Sequence, residues 1–135
     1  MAAADTLKYS VVEGWEQLPR GFAHRDVAGV AADQEDRVYL ICRGENPIII
    51  YDRSGKYLRT WGKGDFSMRT HGIYVAPNGT IFATDDGNHT VRQFTPEGKL
   101  LMTMGTLNTP SDTGYDGKTT GSIKRAGPPF NRPTN

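Results

Sequence analysis

Slid along itself by 43 residues, the chain repeats without a gap. GVAADQEDRVYLICRGENPIIIYDRSGKYLRTWG (29–62) lies over GIYVAPNGTIFATDDGNHTVRQFTPEGKLLMTMG (72–105). Identity falls at Gly29/Gly72, Gly44/Gly87, Gly55/Gly98, Lys56/Lys99, Leu58/Leu101, Thr60/Thr103 and Gly62/Gly105, and the apolar pattern follows. A period in the forties belongs to solenoids, propellers and arrays, where neighbouring copies of one small unit bury each other's apolar faces.

Each unit reads as four short strands. The first is GVAA or GIYV, followed by a polar turn, QED or PNG. The second is RVYLIC or TIFAT, and a glycine loop leads to the third, IIIYD or VRQF. RSGK or PEGK then turns the chain into YLRTW or LLMTM. Short β-branched and aromatic runs bounded by such turns are all-β, and no sustained 3.6-residue period or capping box points to a helix. A four-stranded unit of about 40 residues is the size of a propeller blade. The expected fold class is therefore all-β, with blades of four antiparallel strands. The expected divisions are 1–27, an outer strand and linker; 28–68, a first blade; 69–105, a second; and 106–135, a long loop opening a third.

Totals set bounds on function. The chain has 135 residues, 36% hydrophobic and 23% charged, with net charge +1. One domain with a real core is the expectation, burying about 65–70% of its unfolded surface. Charge this balanced gives no reason to expect nucleic acid or an anionic membrane as partner. No apolar run approaches the ~20 residues of a membrane span, and MAAADTLKYS lacks the basic start and apolar middle of a secretory signal. A soluble protein is expected, its compartment open. Cys42 is the single cysteine, so no internal disulfide forms.

The second unit resembles an NHL repeat, whose usual form runs glycine, strand, turn, strand, D-x-x-N-H, strand, turn, G-K, strand, G. Asp85, Asn88 and His89 fit that motif, whereas the first unit has Glu45-Asn46 in place of Asn88-His89. NHL repeats build β-propellers, commonly six-bladed. Two blades cannot close such a ring, and open edges would be exposed. The expectation is a partial six-bladed propeller, or a subunit completing one by association with its own copies. The unused PFNRPTN opening favours the fragment.

A second resemblance is to peptidyl-α-hydroxyglycine α-amidating lyases. Their first blade has G-V-A-x-D and, ten residues on, an arginine-glycine; here these are Gly29 to Asp33 and Arg43-Gly44. Their next blade opens P-H-G-[LI], matched by Thr70-His71-Gly72-Ile73, and its second strand ends T-D, matched by Thr84-Asp85. Their long loop carries G-[ST]-D, compared here with Pro110 to Gly114, and ends P-T-D-[VI]-A, compared with Pro133-Thr134-Asn135. Thr70 departs from the family proline, and the stretch between Arg43 and His71 is shorter than the family's.

The resemblance implies roles. His71 looks like the first of three zinc histidines, and Arg43 like the arginine facing substrate. The backbone carbonyls of Val30 and Ile73 match ligands of a structural calcium ion, a hard cation suited to oxygen. The other ligands and a catalytic tyrosine would lie in later blades. The family reaction cleaves a carbinolamide N–C bond to give peptide amide and glyoxylate, with zinc polarising the hydroxyl. Arginine's planar fork suits the carboxylate of such a substrate. Read from local sequence alone, His71 is a solvated residue at the mouth of a channel and Arg43 a surface arginine. A non-catalytic scaffold binding a protein or small molecule in the channel is the other reading, and an inactive fragment a third.

The remaining candidates have bland readings. His89 is structural, and His24 has no evident partner. Cys42 is a buried thiol, and Asp85 and Asp86 cap a turn. Trp15 and Trp61 pack between blades. Lys118, Lys124 and Arg125 are too thin a basic cluster for nucleic acid.

Overall fold

A computed structural model of the chain describes residues 7–134. Eight strands run in order: β1 (Asp26–Ala32), β2 (Val38–Arg43), β3 (Ile48–Tyr51), β4 (Tyr57–Trp61), β5 (Thr70–Val75), β6 (Ile81–Asp85), β7 (Thr90–Phe94) and β8 (Leu100–Met104). They form two four-stranded antiparallel sheets with strands in consecutive order, β1 to β4 and β5 to β8. A single 3-10 turn, Thr120–Ser122, is the only helical element among the described residues. The chain is all-β, and each sheet has blade topology; the two are blade 1 and blade 2.

The repeat extends to its irregularities. In blade 1 the register slips between Val27 and Gly29, and again between Ile50 and Tyr51. In blade 2 it slips between Thr70 and Ile73, and between Gln93 and Phe94. Such bulges twist a strand locally and fix its register. Gly55 and Gly98 sit in the third turn at φ 85° and 91°, a region that costs other residues strain. β1 begins at Asp26, ahead of the expected boundary at 28, because the bulge at Ala28 lets Asp26 and Val27 still pair with Arg43 and Cys42.

The core lies between the blades. Tyr39, Ile41, Ile48 and Ile50 of blade 1 meet Ile81, Ala83 and Phe94 of blade 2, all fully or almost fully buried, with Trp61 and Phe66 closing the margin. The first strands, β1 and β5, pack together. Gly29 makes this approach possible: a Cβ there would stand 3.1 Å from both the His71 carbonyl oxygen and the Ile41 Cγ2. A smaller cluster covers the far side of blade 1, where Cys42, Ile49 and Tyr51 lie under Trp15 and Leu18.

Residues 7–25 make no strand of their own. Their one bridge, Gln17 to Lys56, is parallel, with the Gln17 amide donating to the Gly55 carbonyl at 2.9 Å. The loop 106–134 is irregular but tied down. Ser111 donates from its amide to the Phe130 carbonyl at 2.9 Å and from its hydroxyl to the Gly127 carbonyl at 2.6 Å. The loop brings the Thr134 carbonyl to the Thr84 hydroxyl at 2.9 Å. Asn135, the last residue of the expected third-blade entry, lies outside the described residues. No helix among the described residues is long and apolar enough to cross a membrane.

Candidate functional site

Arg43 ends β2, and β5 starts beside it. The Arg43 Nε donates to the Thr70 carbonyl at 3.3 Å, and its Nη1 stands 3.8 Å from Asp26. The guanidinium thus crosses from blade 1 to the backbone immediately before His71. It also lines an open groove of about 590 Å³ with His24, Glu45 and Lys63. Both residues singled out by the sequence therefore lie at one end of the paired first strands. His71 is half-exposed in β5.

Asp86 stands near this end, 8% exposed at its side chain. Burial alone would raise its carboxyl, but Arg69, Arg132 and His71 outweigh that and hold it below the usual carboxylate value. Arg69 grips it with two bonds, Nε at 3.0 Å and Nη2 at 2.5 Å, and the Arg132 Nε lies 3.7 Å away. At this end of the blades the charges are thus largely matched, Asp86 by Arg69 and Arg132, Asp26 by Arg43 and Glu45 by Lys63.

Val30 and Ile73 are related by the repeat, one on β1 and one on β5, opposite Leu40 and Ala83 respectively. Each of these strands is bonded on one side only. Among the described residues no three His, Cys, Asp or Glu side chains converge into a metal site, so His71 has no companion ligands among them.

The other candidates take structural places. His89 holds a left-handed φ of 57°, and its Nδ1 accepts the Arg132 amide at 3.2 Å. His24 does have a partner, the Glu16 carboxylate at 2.9 Å. Cys42 is buried, and burial pushes its thiol up to about 11, which leaves no thiolate for nucleophilic work. Asp85 is fully buried and caps the Ser67 amide at 2.7 Å and the Asn88 amide at 3.0 Å. Arg125 is spent on Asp112.

Two features escaped the sequence reading. Tyr51 donates to Glu16 across 35 positions, which joins the N-terminal segment to blade 1. Arg92 is buried on β7, its guanidinium 4.5 Å from the Phe66 ring centre and its Nη2 on the Asp65 carbonyl at 2.6 Å. The signal for Arg92 was available, since blade 1 has Ile49 at that place of the repeat.

No protein-family model matches the chain. No curated protein matches it either. Among solved structures it is similar to selenomethionine-substituted virginiamycin B lyase from Staphylococcus aureus, at 16% identity and a TM-score of 0.49. The alignment covers 62% of this chain and 28% of that one, so this chain spans less than a third of that protein's length. Similarity at this level transfers neither ligand nor reaction.

Proposed function

We propose that the chain supplies two consecutive blades of an NHL-type propeller, and that their inner ends form one edge of a metal-dependent carbon–nitrogen lyase site. The observation that carries this reading is the Arg43 contact with the Thr70 carbonyl, which sets a guanidinium beside His71 at one end of β1 and β5. In this role His71 is a zinc ligand, and zinc when bound would supply Lewis acidity. Arg43 orients a glycine-derived carboxylate through its planar fork. The carbonyls of Val30 and Ile73 hold calcium. The remaining ligands come from further blades. A non-catalytic propeller that uses the channel as a binding platform is the competing reading.

The experiment is a zinc titration of the chain, with each histidine ring followed by NMR. His71 is expected to shift at lower zinc than His24, already bonded to Glu16, and His89, whose Nδ1 is engaged. Equal response of all three rings removes the zinc role. In a propeller containing these blades, glyoxylate release from an N-acyl-α-hydroxyglycine should fall at least ~100-fold in Arg43→Ala, since one charge-assisted orienting contact is typically worth that much. Unchanged release in that variant would favour the scaffold.

A further inference from the structure

Blade 2 carries a carboxylate that blade 1 lacks, at a place where the backbone of both has the same donors. Asp85 accepts the Ser67 amide at 2.7 Å and the Asn88 amide at 3.0 Å, so one side chain ties the entry of blade 2 to its β6–β7 loop. Shifted back by 43, these three residues become Cys42, His24 and Glu45. The strands agree at the two places: Thr70 pairs with Asp85 and Val27 with Cys42, each just before a slip in register. Cys42 brings no carboxylate, and neither the His24 nor the Glu45 amide has an acceptor among the described residues. A backbone amide left so takes an oxygen from whatever can reach it.

The place is open in blade 1 and closed in blade 2. His24 and Glu45 line the groove of about 590 Å³, together with Ala23, Arg25, Lys63 and Met68. A Cβ on Gly87 would collide with the Ser67 hydroxyl, whereas one on Gly44 would meet only the Arg25 Cγ, at 4.0 Å. The charges are inverted as well, since Arg69 and Asp86 of blade 2 become Asp26 and Arg43. Asp26 is answered by Arg43 and Glu45 by Lys63, while Arg25 enters no ion pair among the described residues. We propose that the groove binds a carboxylate from outside the chain, seated on the His24 and Glu45 amides as Asp85 sits on those of Ser67 and Asn88, with Arg25 as counter-charge. Bonds from N–H groups to an ionised oxygen are the stronger kind, and a carboxylate has one oxygen for each amide. Ala23 and Met68 give the groove an apolar flank for a short carbon chain behind that group. Its volume is in the range of small-molecule sites. The ligand is therefore a small aliphatic acid or the acidic side chain of a peptide. The seat needs neither zinc nor His71 nor a lyase reaction, so it stands or falls apart from that reading.

Amide NMR of the full chain, titrated with propionate and with sodium chloride at equal ionic strength, tests the proposal. The His24 and Glu45 amide protons are expected to move downfield to a plateau with propionate and to stay in place with chloride. Cys42→Asp builds the blade 2 carboxylate into blade 1 and is expected to abolish that response. Arg25→Ala is expected to weaken it roughly two- to fivefold, the worth of one exposed charge contact. A blocked tripeptide with a central glutamate separates the two sources. Tighter binding than propionate assigns the seat to a peptide side chain, and equal or weaker binding assigns it to a free acid. No plateau at these two amides, or an equal response to chloride, overturns the proposal. So does undiminished binding by a folded Cys42→Asp or, should that variant not fold, by Arg25→Ala.

Discussion

Blade 1 is covered on both faces and blade 2 on one, and the residues at matching places differ accordingly. Tyr39, Ile41 and Ile48 of blade 1 are fully buried by blade 2, while their counterparts Phe82 and Val91 remain half-exposed and Thr84 replaces an isoleucine. Gly72, Ile73, Tyr74, Phe82, Val91 and Phe130 line an open recess of about 520 Å³ on blade 2. One template has thus been tuned at each position to its own neighbour. Solvent, loop or sheet decides which side chain the shared backbone carries.

The sharpest contrast is inside the packed faces. Blade 1 has Cys42 and Ile49 where blade 2 has Asp85 and Arg92, 4.0 Å apart and 0% and 8% exposed. Asp85→Cys should cost about 3–5 kcal/mol, because it leaves a buried guanidinium without its carboxylate and the Ser67 and Asn88 amides without their acceptor. Arg92→Ile added to it restores the blade 1 pair and should recover a substantial part of that loss, since an apolar pair avoids the desolvation that buried ions suffer. Urea melts of the two variants read this directly. A double variant no more stable than the single would mean that the caps on Ser67 and Asn88, and not the charge pair, are what Asp85 is for.

The matched apolar positions give a smaller effect of the same kind. Ile48→Ala removes a fully buried side chain from the interblade core and should cost about 2–5 kcal/mol. Val91→Ala, its counterpart on the open face of blade 2, should cost about 1 kcal/mol or less, because that side chain is only partly buried. Equal costs would show that a surface not visible here already covers blade 2 in solution.

Much of the fold was legible in the residues. YLRTW and LLMTM are strands at those residues, and the turn glycines Gly55 and Gly98 take the positive φ that their place in RSGK and PEGK demanded. Period-two patterning and turn chemistry are local, so the repeat exposes them twice. The candidate site was less legible because it is built across the repeat. The Arg43 bond to Thr70 spans 27 positions and the Tyr51 bond to Glu16 spans 35, distances at which no local pattern operates. Glu16 and His24 were unremarkable until blade 1 placed a tyrosine over one and the fold brought the other alongside. Arg92 was the exception, a charge where its repeat partner is isoleucine, and so a non-local contact that left a local mark.

The smallest expected effect separates the two histidines that hold segments in place. Burial lowers the His89 pKa below its ordinary 6.5, with the Arg132 charge acting in the same direction and Asp86 and Asp85 opposing. The sign follows from linkage: the unfolded chain binds the proton more readily, so the stabilisation is full above 6.5 and is lost as pH falls through the lower folded value. Protonation also ends the acceptor role of Nδ1, which holds the Arg132 amide and with it the end of the 106–134 loop. Between pH 7 and 5 the melting temperature should therefore fall. His89→Gln, which cannot gain a proton, should flatten that part of the profile, while His24→Gln should leave its slope in place. A slope that vanishes in His24→Gln instead would assign the acid sensitivity to the Glu16 contact and to the segment under Trp15, moving the weak point from blade 2 to blade 1.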